Sequence, residues 1–265
     1  MLGDPIAHSL SPVLHRAGYA ATGLPWEYEA HRVVAGGLSA FLAGLDADWR
    51  GLALTMPLKR EAVSLVDALS DTARLAGAAN TLLLGETVVG DNTDVPGASA
   101  ALAERGVTEV RTATILGGGA TATSAGLALA DRGAEVLTLL VRDIDRAAET
   151  VIRLRRHPSA PTVQVLPLGV WEATGDVVVS TIPAGAQDED LVSRCADVPA
   201  VFDVVYDPWP TPLAVAASAR GQVLVSGLDL LVHQAALQFA LFTGVPAPVA
   251  EMRSAGERAL SERGT

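Results

Sequence analysis

The sequence predicts an α/β fold in two lobes: an N-terminal α/β unit followed by a doubly wound parallel sheet. Three observations lead there. From residue 112 onward, apolar strand-like runs alternate with helix-like segments. The first of these runs passes straight through a glycine-rich turn into a helix. Residues 1 to about 95 carry a different pattern, with short strand candidates and amphipathic segments.

In the first lobe, strands are expected around 28–33, 51–54, 81–84 and 87–89. A helix is expected to begin within TMPLKRE (55–61), and one helix face is expected to carry Ala62, Leu65, Val66 and Leu69. Lys59 and Arg60 stand where a helix begins, a place where cations are mildly unfavourable, so they call for a reason other than helix stability. In the second lobe the strand candidates are TATIL (112–116), EVLTLLV (135–141), VQVLP (163–167), DVVVST (176–181), VFDVV (201–205) and QVLVS (222–226). Several are β-branched on both faces, as strands covered on both sides require. The helix-like run 121–133 closes on Gly133. From Val232 to Arg263 two helices are expected, broken at TGVPAP (243–248) and packing back on the first lobe. The expected division is therefore 1–95 completed by 232–265, and 96–231, with a cleft between the lobes.

Composition narrows the function. Of 265 residues, 49% are hydrophobic and 18% charged, which describes a folded globular chain. The net charge of −11, without a basic run, argues against nucleic acid or an anionic membrane surface as partner. The most apolar stretch, Val223 to Ala250, is interrupted by Asp229, His233, Gln234 and Gln238 and reads as a buried helix rather than a membrane span. The N-terminus has no basic n-region and no long apolar h-region, and Cys195 is the single cysteine; a cytoplasmic enzyme is expected. His8 and His15, seven residues apart with no Cys or carboxylate cluster, make no metal signature, so no metal is assigned.

The turn after the first strand, GGGATA (117–122), has the pattern G-x-G-x-x-A in Gly117, Gly119 and Ala122, with Gly118, Ala120 and Thr121 between them. Gly117 permits the tight turn, Gly119 lets the backbone approach a pyrophosphate at the helix N-terminus, and Ala122 allows close helix–strand packing. Strand, loop and helix stand in the required order, so a Rossmann-type dinucleotide-binding lobe is expected. At the end of the second strand, LLVRDIDR (139–146), Arg142 is placed to pair with a 2′-phosphate, with Arg146 assisting, which favours NADP. Asp143 beside it is the residue type that favours NAD, and Arg142, Asp143, Asp145 and Arg146 also read as solvated surface pairs. NADP is preferred and NAD stays open.

GDPIAHSLSPVLH (3–15), LTMPLK (54–59), GAANTL (77–82), GDNTDVPG (90–97), GGGATA (117–122), STIPAG (180–185), DVVYDPWPTPL (203–213) and GLDLLVHQA (227–235) follow one another in an order that resembles the shikimate dehydrogenase family over nearly the whole chain. The resemblance implies reduction of 3-dehydroshikimate to shikimate with NADPH, in aromatic amino acid biosynthesis. It implies that Lys59 supplies positive charge and a proton to the ketone oxygen, with Asp94 holding the ammonium and bonding a substrate hydroxyl. It implies Ser9 and Ser11 on the substrate carboxylate with Tyr206 nearby, and Thr55, Asn80 and Gln234 on ring hydroxyls or the carboxylate. It also places Thr181, Val204 and Gly227, at strand ends, near the nicotinamide half. Taken singly, these residues have plainer readings: Ser9 or Ser11 as a helix cap before Pro12, Asn80 as a turn residue, Gln234 on a helix surface, Gly227 as a turn glycine.

The chain departs from the family pattern at Ala53, Arg16 and Thr123, where the family often has Asn, Asn and a basic residue, and at Val141-Arg142-Asp143, where it has Asn-Arg-Thr. Only Met1 and Leu2 precede Gly3, so the first strand is expected to be truncated or to start upstream. Two other readings stand beside the first: an NAD-preferring quinate/shikimate dehydrogenase, for which Asp143 argues, and a non-catalytic shikimate-binding paralogue, against which Lys59 and Asp94 together argue. Methylene-tetrahydrofolate dehydrogenase shares a related two-lobe architecture, but HSLSP and DNTDVPG do not suggest it. The partner expected is a small molecule, bound by a monomer or a homodimer.

Overall fold

The computed structural model describes residues 1–169 and 173–263. The chain divides into two compact units, residues 1–93 with 231–265, and residues 94–230.

The first unit opens with β1 (Leu2–Gly3), α1 (Ser11–Thr22), β2 (His31–Arg32), α2 (Leu38–Ala43), β3 (Gly51–Ala53), α3 (Leu58–Glu61), β4 (Ala68–Leu69), α4 (Asp71–Ala76), β5 (Thr81–Leu83) and β6 (Val89–Asp91). β1 runs parallel to β2, with Leu2 opposite His31, and Leu2 also bridges to Leu54. The remaining strands form a sheet in the order β3-β5-β6-β4, antiparallel except for β4 beside β6. Leu2, Leu38, Leu52, Leu58 and Leu82 are fully buried in one core under these elements.

Ala62, Leu65, Val66 and Leu69 do not share a helix face. Helix α3 ends after one turn, a 3-10 turn follows at Ala62–Ser64, and Leu69 lies in β4. All four residues still pack on the same core, so their apolar spacing was real while its cause was not helical. Ser70 is extended and its hydroxyl accepts from Ala73 N (3.1 Å), so the next helix, α4, starts only at Asp71.

The second unit contains α5 (Asp94–Glu104), β7 (Thr112–Leu116), α6 (Ala120–Asp131), β8 (Val136–Val141), α7 (Ala148–Arg155), β9 (Thr162–Pro167), β10 (Val177–Ser180), α8 (Glu189–Ser193), β11 (Ala200–Asp203), α9 (Pro212–Arg220) and β12 (Val223–Ser226). The six strands are all parallel, in the order β12-β11-β10-β7-β8-β9. Every strand expected in this unit is present within two residues of its expected bounds. Ile115 faces Val179 on one side and Leu139 on the other, all three fully buried, which is why these runs are apolar on both faces. The strand order reverses between β7 and β10, and the carboxyl ends of those strands are where open α/β sheets form a binding crevice.

The chain then enters α10 (Gly227–Thr243) and α11 (Val249–Arg263), which from Leu231 onward belong to the first unit. Gly18 of α1 lets them close in: a Cβ there would stand 2.8 Å from Phe239 Cε2 and 3.4 Å from Met252 Sδ. No helix among the described residues is long and apolar enough to cross a membrane.

Candidate active site

In the first unit the candidate residues gather around the end of β3 and the start of β5. Leu54 N donates to Asn80 O (2.7 Å), Thr55 N to Leu2 O (2.9 Å), and Leu58 N to Thr55 O (2.9 Å), which turns the chain into α3. Lys59 is in that helix, half-buried, and its carbonyl accepts from Ala79 N (2.8 Å), tying the lysine's backbone to the residue before Asn80. Thr55 presses against Gly3, where a Cβ would come within 2.2 Å of Thr55 Cγ2. Glu61 is occupied elsewhere, its carboxylate accepting from Gly36 N and Leu38 N at the start of α2.

Asn80 is fully buried and is the hub of this site. Its Oδ1 accepts from Thr93 N (2.8 Å) and Thr81 Oγ1 (2.9 Å), while its Nδ2 donates to Thr93 Oγ1 (2.9 Å) and Gln234 Oε1 (3.0 Å). Asn80 is thus more than a turn residue, and Gln234, on α10, more than a helix-surface one. With its oxygen facing Asn80, Gln234 has Nε2, a pure donor, to offer a hydroxyl or carboxylate oxygen. Gln238, one turn further on, is 1% exposed and donates to Asn80 O (3.0 Å) and Thr81 Oγ1 (3.0 Å). Thr93 and Gln238 were not singled out as site residues from sequence. The i, i+4 spacing of Gln234 and Gln238 on a largely apolar helix was the signal for the second.

Ser9 and Ser11 lie at the start of α1. Ser11 begins the helix and is 2% exposed, and Ser9 Oγ accepts from its amide (3.2 Å) while donating to Met1 Sδ (2.7 Å). The N-cap position is Leu10 and no side chain caps the helix, so neither serine has the capping role; Ser9 instead closes a short turn onto the amide of Ser11. His15 is fully buried and stacks on Tyr28 with ring centroids 4.3 Å apart. Among the described residues no group of three or more His, Cys, Asp or Glu is placed to hold a metal ion.

In the second unit the glycine turn sits at the switch point of the sheet. Gly117 follows β7 with φ +113°, and a Cβ there would stand 2.3 Å from Thr181 Oγ1. Thr181 follows β10 and holds Leu116 O with both its amide (2.9 Å) and its hydroxyl (2.8 Å). Gly118 packs on the turn just before α7, where a Cβ would come 3.0 Å from Ala147 Cβ. Gly119 is different: it is extended (φ −92°, ψ −169°), and a Cβ on it would meet no protein atom within 4 Å. It offers no side chain to cap α6, so the amides of Ala120, Thr121 and Ala122 open that helix without a side-chain acceptor from the cap. Ala122 is fully buried against the sheet. A turn with an open backbone face at a helix N-terminus fits a dinucleotide pyrophosphate.

Arg142 and Arg146 follow β8 and are exposed. Asp143 Oδ1 accepts from Asp145 N (3.1 Å) and Arg146 N (3.3 Å), and its Oδ2 lies 3.8 Å from Arg146 Nε. The carboxylate is therefore engaged in its own turn, and of the surface pairs expected among Arg142, Asp143, Asp145 and Arg146 the one between Asp143 and Arg146 is present.

Val204 and Gly227 are brought together at the ends of β11 and β12: a Cβ on Gly227 would stand 2.4 Å from Val204 O, so packing alone demands that glycine. Tyr206 follows in a loop and is half-buried. That loop is anchored by Asp203, which sequence reasoning did not single out. Asp203 is fully buried and accepts from Thr211 Oγ1 (2.6 Å), Gln187 Nε2 (2.9 Å) and Val205 N (3.2 Å); burial pushes its carboxyl above the usual range. Asp94, 5% exposed, is the first residue of α5.

Residues 1–82 match the family described as shikimate dehydrogenase substrate binding domain, and residues 227–255 match that described as shikimate 5'-dehydrogenase C-terminal domain. Shikimate dehydrogenase (NADP(+)) of Desulfitobacterium hafniense is 34% identical over 267 residues, covering 98% of this chain and 97% of its own. The crystal structure of Mycobacterium tuberculosis shikimate dehydrogenase superposes with a TM-score of 0.89 at 37% identity, over 97% of each chain. That of the Thermus thermophilus enzyme, in complex with NADP(H) and shikimate, superposes with a TM-score of 0.86 at 30% identity, over 98% of each chain. With a relative above 30% identity along almost its full length, and with the glycine turn and the Asn80 hub where the motifs put them, this chain belongs to the shikimate dehydrogenase family.

Proposed function

We propose that this chain catalyses the reversible reduction of 3-dehydroshikimate to shikimate with NADPH, in the cytoplasm, as a step of aromatic amino acid biosynthesis. The observation that carries the reading is Lys59, whose backbone is tied through Ala79 to the segment holding the buried amide of Asn80. Reduction of a ketone leaves negative charge on the carbonyl oxygen, and a group that delivers charge and a proton to that oxygen lowers the barrier. Lys59 is that group, donating its proton in reduction and taking it back in oxidation. Asp94 holds the ammonium and accepts from a substrate hydroxyl. Ser9 and Ser11 bind the carboxylate with Tyr206 nearby, and Thr55, Asn80 and Gln234 bond the ring hydroxyls or the carboxylate. A site built of such short polar groups rejects analogues that leave one of them unpaired.

The nicotinamide supplies the hydride when the cofactor is bound. Gly117, Gly118, Gly119, Ala120, Thr121 and Ala122 hold its pyrophosphate, Thr181, Val204 and Gly227 border its nicotinamide half, and Arg142, assisted by Arg146, pairs with the 2′-phosphate. What supports NADP over NAD is Asp143, whose Oδ1 is taken by two amides of its own turn.

Steady-state rates with shikimate and quinate, each with NADP⁺ and NAD⁺, test the proposal. Shikimate with NADP⁺ is expected to give the highest kcat/KM. NAD⁺ ahead by about tenfold would overturn the cofactor assignment, and no turnover with any pair would leave a non-catalytic ligand-binding protein.

A further inference from the structure

The groups that hold the glycine turn in shape lie outside the glycine motif. Thr150, in the first turn of α7, is fully buried, and its Oγ1 donates to Gly118 O at 2.8 Å and lies 3.5 Å from Gly119 O. Thr123, in the first turn of α6, is 1% exposed; its Oγ1 lies 3.1 Å from Gly119 O and 2.9 Å from Thr150 Oγ1. Two hydroxyls in a seam between helices cost free energy unless they are bonded, and here both are spent on the backbone of the turn.

The consequence follows from the planarity of the peptide. In a trans peptide the C=O and the N–H point in opposite directions. Drawing the Gly118 carbonyl toward α7 turns the Gly119 amide away from α7. Holding the Gly119 carbonyl in the same way turns the Ala120 amide, the first of α6. These two amides border the residue whose missing Cβ leaves open space, and they are the donors an anion at this turn would use.

We infer that Thr150 and Thr123 are positioning residues for the cofactor: their hydroxyls aim the amides of Gly119 and Ala120 at its pyrophosphate. This rests on the dinucleotide reading proposed above. Thr150→Val removes the hydroxyl and keeps the shape, and Thr150→Ser keeps the hydroxyl. The measurements are equilibrium dissociation constants for NADPH and for adenosine 2′-phosphate, which lacks the pyrophosphate, together with Tm. Thr150→Val is expected to bind NADPH about tenfold more weakly with its affinity for adenosine 2′-phosphate unchanged, and Thr150→Ser to stay within about twofold of wild type. Wild-type protein that fails to bind NADPH would sink the dinucleotide reading and this inference with it. Wild-type binding with Thr150→Val equally tight, with both ligands weakened alike, or with Thr150→Ser as weak as Thr150→Val, would overturn the inference alone. Should Thr150→Val not fold, Thr123→Val and Thr123→Ser carry the same comparison, and unchanged NADPH affinity in Thr123→Val would overturn it.

Discussion

Replacing Gly119 with alanine separates two reasons a glycine can stand in a turn. Gly117 is required by the protein itself, with φ +113° and Thr181 Oγ1 only 2.3 Å from where its Cβ would be. Gly119 is not: its backbone is extended, and its Cβ would meet nothing within 4 Å. At such a position Gly→Ala stabilises by about 0.4–1 kcal/mol through the unfolded chain, a rise in Tm of roughly 1–3 °C for a protein of this size. If a pyrophosphate lies against this backbone, the methyl group occupies the space it needs. Losing one charge-assisted hydrogen bond costs about 1.5–3 kcal/mol, on the order of ten- to a hundredfold in Kd. Calorimetry and a fluorescence titration with NADPH read the two quantities on one sample. The expected result is an unchanged or higher Tm with strongly weakened NADPH. An unchanged Kd would remove the pyrophosphate from Gly119, and a fall in Tm would show that the space is not open.

Two further outcomes are expected. Arg142→Ala should raise the KM for NADP⁺ at least about tenfold and leave that for NAD⁺ nearly unchanged, because only the 2′-phosphate is lost as a partner; equal effects on both would make Arg142 a surface residue. His15 should make the fold acid-sensitive. Burial lowers its pKa from 6.5 to about 3, so below pH 6.5 the unfolded chain takes up a proton that the folded one refuses. Stability attributable to His15 is complete above 6.5 and falls by up to about 1.4 kcal/mol per pH unit on the way down. Urea midpoints measured between about pH 6.5 and 5 should fall more steeply for wild type than for His15→Phe, and parallel lines would refute the assignment.

The four inner strands of the second unit, β7, β8, β10 and β11, were legible because each is a short run buried on both faces, as Ile115 and Val179 illustrate, while the edge strands β9 and β12 are only partly buried. The stretch from Ala62 to Leu69 misled because apolar residues three and four apart satisfy a helix equally as well as a turn followed by a strand over one core; only the cap at Ser70 distinguished them. The candidate site was legible as motifs in order, not as contacts. Asn80 meets Thr93, Gln234 and Gln238, and the last two lie more than 150 residues away in the chain. Thr150 carries no local pattern at all, since its partner Gly118 is 32 residues earlier and the bond exists only because α7 packs beside the turn. Gly227 runs the other way: the space it leaves is filled by Val204 O, so its glycine is explained without any ligand.

The most direct measurement is turnover of Lys59→Ala with shikimate and NADP⁺, beside the binding constant for shikimate. If the ammonium of Lys59 carries the proton at the reacting oxygen, kcat falls on the order of 10²–10⁴-fold while shikimate affinity changes only modestly. Turnover close to wild type, or a loss confined to shikimate binding, would contradict a proton-transfer role for Lys59.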